Sequence, residues 1–126
     1  MKALYVTIAA TVVALAACGH KEKEVAAVSF ANQVKPVLDK NCIECHKAAG
    51  QGYSKSGLRL DSYESLMAGT KFGPVVKPGS AISSSLYLLI AGKADQSIRM
   101  PHNREPLSSE SVETIKQWID QGAKNN

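Results

Sequence analysis

Two thiols and an imidazole stand together at Cys42-Ile43-Glu44-Cys45-His46, a C-x-x-C-H run. Cysteines three residues apart share a face of one helical turn, so each can add to one vinyl group of a single porphyrin while the adjacent imidazole binds the iron. In that arrangement Cys42 and Cys45 are the thioether positions of one covalent haem c. His46 is its proximal axial ligand, with its other ring nitrogen donating to a backbone carbonyl or a water. A structural zinc site is one rival, with a distant residue such as His102 as fourth ligand. Adjacent Cys45 and His46 would crowd one edge of its tetrahedron, and the chain has no second cysteine pair. A thioredoxin-like redox pair is the other. It needs a strand before the motif, where this sequence reads as helix.

The second axial position is assigned to Met100, in Arg99-Met100-Pro101. A neutral thioether is a soft donor that favours ferrous iron, and Pro101 stiffens the chain beside it. His102 and Met67 are competing donors: His102 would make a bis-histidine site, whereas Met67 sits among leucines and reads as core. With both axial positions filled by protein, the implied function is one-electron transfer through the exposed haem edge, with no substrate bound at iron. If the Met100 position is open or labile, the alternative is a haem peroxidase, recruiting His102 or Arg99, or a gas-binding sensor.

These residues must be placed by one small domain, since 126 residues do not supply two separate cores beside an export segment. Met1-Lys2 precedes an apolar run from Ala3 to Ala17, long for a buried helix and short for a membrane span, which reads as a secretory signal. It ends Leu15-Ala16-Ala17-Cys18, which resembles the bacterial lipoprotein signal. That implies cleavage before Cys18 and its acylation. The division expected is a signal peptide over 1–17, a lipidated tether over 18–28 and the folded domain over 29–126. All three cysteines then have a use, and none is left as a free thiol in an oxidising compartment. Gly19 is not the aspartate associated with inner-membrane retention. The protein is therefore expected on the periplasmic side of a bacterial membrane, lipid-anchored, on the outer membrane in a Gram-negative cell. His20 reads as a solvated tether residue. The net charge of +4 comes from scattered lysines and arginines, which argues against nucleic-acid binding. The expected partners are redox proteins met by a monomer, with Lys47, Lys55, Lys71 and Lys77 available to an acidic surface.

Along the domain, Ser29 is a helix cap followed by Phe30, Val34, Val37 and Leu38 at helical spacing, and Pro36 either kinks that helix or marks its restart. The glycine- and serine-bearing stretch 47–57 reads as a surface loop. Asp61-Ser62-Tyr63-Glu64 has the spacing of a capping box before a short helix ending at Gly69. Thr70 to Ser80 is turn-rich. A helix over about 83–91 turns Leu86, Leu89 and Ile90 inward, with Ile82 just ahead. Ser108 caps the last helix, whose stripe of Val112, Ile115, Trp118 and Ile119 crosses the first helix and puts Trp118 near Phe30. The class is all-α: four to five short helices with Gly/Pro-rich loops around one haem, which supplies much of the apolar core. Without it the chain is expected to be largely unfolded.

The order Val34-Lys35-Pro36-Val37-Leu38, Cys42 to His46, Gly57-Leu58-Arg59-Leu60-Asp61, Lys77-Pro78-Gly79-Ser80, Ser85-Leu86-Tyr87, Arg99-Met100-Pro101 and Ile115 to Ala123 resembles the planctomycete-type branch of the class I cytochrome c domains. The resemblance runs from about Phe30 to Ala123. It implies the cytochrome c fold, thioether bonds at Cys42 and Cys45, and His46 and Met100 as axial ligands. In that family the domain often accompanies larger enzymes. Here the cytochrome is expected alone behind a lipid anchor.

Overall fold

Ser29 caps the first helical turns, its hydroxyl accepting from the Asn32 amide at 3.2 Å, in a computed structural model that describes residues 25–126. The expected signal segment, Cys18, Gly19 and His20 lie outside the described residues. Phe30–Val34 wind as a wide π-type turn, with Val34 N–H reaching Ser29 O at 3.2 Å. This turn runs directly into α1 (Lys35–Asn41). Pro36 therefore sits in the first turn of α1, where its missing N–H removes no intrahelical bond, and the restart is the outcome realised.

Four more helices follow: α2 (Gln51–Ser56), α3 (Tyr63–Ala68), α4 (Ser85–Ile90) and α5 (Ser109–Asp120). Single 3-10 turns occupy Ala81–Ser83 and Gln96–Ile98. Among the described residues the β interaction is one isolated bridge, Thr70 to Gly73, so the all-α class holds. No helix among them is long and apolar enough to cross a membrane.

The core is built where the first turn meets α5. Val34, Leu38, Leu66, Ile115 and Ile119 are completely buried, and Trp118 nearly so. The Phe30 and Trp118 ring centroids lie 5.5 Å apart, as expected of crossing terminal helices, and Tyr63 meets Phe30 edge-on at 5.2 Å. Both polar aromatics are satisfied at the C-terminus. Trp118 Nε1 donates to Lys124 O at 2.9 Å and the Tyr63 hydroxyl to Ala123 O at 2.8 Å. The C-terminal segment also holds the chain entry: Val28 N–H donates to Gln121 Oε1 at 2.7 Å, and Gln121 Nε2 donates to Ala26 O at 3.2 Å.

Several local expectations are corrected. Residues 47–57 are not a loop throughout, because Gln51–Ser56 is helical; Ser54 and Ser56 hydroxyls donate back to Gly50 O and Gly52 O, and Gly57 closes the helix at φ 77°. The cap of α3 is Ser62, accepting from Ser65 N–H at 3.1 Å, while Asp61 turns its carboxylate to Arg59. The helix expected from residue 83 begins at Ser85. Its 3-10 lead-in swings Ile82 outward, leaving it 75% exposed, and Tyr87 is buried instead. Ser108 caps α5 as expected, accepting from Ser111 N–H at 3.2 Å.

Candidate functional site

The motif forms the continuation of α1. Cys42 N–H donates to Leu38 O at 2.9 Å, and the amides of Cys45 and His46 both return to Cys42 O, at 3.2 and 3.0 Å. One helical turn thus carries both thiols, neither in a disulfide. Cys42 is half-buried against the core and Cys45 is exposed. Burial pushes the Cys42 thiol up to about 11, with the nearby Arg104 charge opposing that rise.

His46 is fixed from two sides. Its Nδ1 lies 3.3 Å from Leu58 O, which is the backbone carbonyl expected for the second ring nitrogen, and Leu60 N–H donates to His46 O at 2.8 Å. The other side is α2, which the sequence reading missed. Tyr53 N–H donates to Cys45 O at 3.1 Å, and Gly52 abuts the imidazole itself. The signal that could have found this contact is the Gly50-x-Gly52 spacing just after the motif. With Nδ1 committed to Leu58, Nε2 has no protein partner among the described residues.

Met100 stands half-buried at the margin of the core, its N–H donating to Leu89 O at 3.2 Å. From Ala91 to Pro106 no residue is buried, and the same is true from Asp39 to Ala49. These are the two segments that carry the sulfur and nitrogen donors. A side-chain link joins them: Arg104 forms an ion pair with Glu44, inside the motif, and Arg99 donates to Arg104 O at 3.4 Å. Glu44 is held below its ordinary carboxylate value by that hydrogen bond. His102 is exposed and lines a polar groove of about 730 Å³ with Arg99 and Arg104, while Met67 lies half-buried on α3 against the core. Among the described residues no three His, Cys, Asp or Glu side chains group as metal ligands, so His102 is not drawn into a tetrahedral set with the motif.

Residues 42–103 match the family model described as Planctomycete cytochrome C. Over these residues the chain is similar to the planctomycete cytochrome c family. The cytochrome domain also resembles a solved structure, Kuenenia stuttgartiensis hydrazine synthase, with a TM-score of 0.51 and 22% sequence identity. That likeness covers 76% of this chain and 16% of the other, and it concerns the fold alone. No curated protein matches the chain.

The donor set fits a c-type haem. Two unpaired thiols lie on one turn, an imidazole has one nitrogen committed and one free of protein partners, and a thioether lies on the segment tied back to that turn. The cytochrome domain leaves both segments without buried side chains of their own, which is where an apolar macrocycle has surface to cover.

Proposed function

We propose that this chain is a mono-haem cytochrome c that carries single electrons at a membrane surface outside the cytoplasm. Cys42, Cys45, His46 and Met100 are the residues that would hold haem c, which when bound would supply exchange between the ferric and ferrous states. The observation that carries the reading is the motif turn, with two free thiols and a His46 ring whose Nδ1 is already engaged by Leu58 O.

Each protein group has a part in that function. Cys42, at the core margin, and Cys45, exposed to solvent, would hold the group at the protein surface, where a partner protein can approach. Leu58 O sets the tautomer and raises the basicity of His46. Met100 would be the second residue to hold the iron, leaving it no place for a substrate, so that the domain would act as a carrier rather than an enzyme. The Leu15-Ala16-Ala17-Cys18 signal supports a lipid anchor at Cys18, which keeps the carrier near its redox partners by raising their effective concentration.

The test is the absorption spectrum of the protein exported in a host with haem c maturation machinery, oxidised and reduced, for the wild type and Met100→Ala. A low-spin spectrum with the weak ferric sulfur-to-iron band, lost in Met100→Ala, is expected. A high-spin wild type would overturn the carrier reading in favour of an open iron. Membrane fractionation of Cys18→Ala, expected to release the protein, tests the anchor separately.

A further inference from the structure

Glycine within a helix is ordinarily a loss, because it gives up the most conformational freedom on folding and offers no side chain to pack. Gly52 lies inside α2, and neither it nor Gly50 has a positive φ, so backbone conformation does not require either glycine. What requires them is space. A Cβ added at Gly52 would lie 2.7 Å from Cε1, 2.8 Å from Nε2 and 2.9 Å from Nδ1 of His46, against the face of the ring. A Cβ at Gly50 would lie 2.3 Å from the carbonyl oxygen of Cys45.

We propose that the backbone at Gly50 and Gly52 is a seat that fixes the plane of the His46 imidazole, making Gly52 a positioning residue for the axial ligand; this rests on the haem reading above. The Nδ1 contact with Leu58 O holds one edge of the ring, but a single hydrogen bond still permits rotation about it. Contact of the ring face with the Gly52 backbone removes that rotation. Together they present Nε2 in one orientation. A ligand held so moves little between oxidation states, which suits a carrier that must exchange electrons without rearranging.

The test compares holoprotein carrying Gly52→Ala with Gln51→Ala, an exposed position of the same helix. In an ordinary helix interior Gly→Ala raises the melting temperature. The seat predicts the opposite sign: Gly52→Ala lowers Tm by several degrees, redistributes the paramagnetically shifted haem-methyl resonances of the ferric protein, and moves the reduction potential. Gln51→Ala leaves the resonances and potential in place. A higher Tm for Gly52→Ala with an unchanged methyl pattern overturns the proposal, and a lower Tm with an unchanged pattern overturns the positioning role. Wild-type protein that takes up no haem would sink the carrier reading instead. The seat is then read from the His46 ring-proton shifts, which Gly52→Ala moves if the seat exists and leaves alone if it does not.

Discussion

Arg104 reaches back to Glu44, one of the two residues between the cysteines, and so joins the segment bearing Met100 to the motif bearing His46. Both side chains are substantially exposed, at 44% and 70%, so the ion pair is weak and open to screening by salt. Its importance is positional, since Ala91–Pro106 has no buried residue to hold it down. In Arg104→Gln, the affinity of the ferric protein for added imidazole is expected to rise about two- to threefold, with high salt producing the same change in the wild type. Titration of the sulfur-to-iron band checks this. A charge-swapped Glu44→Arg, Arg104→Glu pair should restore the original affinity.

Asp120 joins α5 to the turn before α4. Its Oδ1 accepts from Ala81 N–H at 2.8 Å and its Oδ2 from Lys116 Nζ at 3.0 Å. Ala81 is completely buried, so Asp120→Ala leaves an amide donor without a partner and should cost about 1–2 kcal/mol. The amide bond first, and Lys116 second, hold the Asp120 carboxyl below its ordinary value. A depressed carboxyl contributes stability above its unfolded pKa, about 4, and loses it as the pH falls through the lower folded value. Urea titrations should therefore show the gap between wild type and Asp120→Ala narrowing from pH 7 to about pH 3.

Trp118 is central to the packing of the terminal helices, with Phe30 and Tyr63 against it. Trp118→Ala should cost about 3–5 kcal/mol, a large share of a small domain's stability. The expected result is a much lower urea midpoint with an unchanged low-spin spectrum in the folded fraction. A changed ligand spectrum would instead make this ring part of the site.

What the sequence made legible, and what it hid, divides along physical lines. Helix α5 was readable because a serine cap and an apolar stripe run through it without interruption. Helix α2 was not, because its glycines and serines carry the composition of a loop. The reason for glycine there is contact with Cys45 and His46, of which the Gly50-x-Gly52 spacing after the motif is the trace in the sequence. Adjacent Asp61 and Ser62 are both good caps, and only the approach of Arg59 to Asp61 decides between them. At the site, the residue types and spacing of Cys42, Cys45 and His46 were enough to single out the motif. The Leu58 carbonyl under His46 and the Glu44–Arg104 pair depend on chain returns that spacing does not encode.

Removal of the haem should separate the two kinds of packing. The aromatic cluster and the buried faces of α1, α3 and α5 are made by protein alone, whereas Asp39–Ala49 and Ala91–Pro106 contain no fully buried residue and pack only Cys42, Ala91 and Met100 partly against it. A domain of about 100 residues has only about 5–15 kcal/mol in hand, too little to order two long segments that bury so little apolar surface. The Cys42→Ala, Cys45→Ala variant, isolated without haem, is therefore expected to lose its cooperative thermal transition and to be cut rapidly by protease within residues 91–106. Any residual helix should report the Trp118 cluster, visible as partly shielded tryptophan fluorescence. A helical far-UV spectrum with a sharp melt, together with an intact 91–106 segment, would mean that protein packing alone suffices and that the haem is a passenger in the fold.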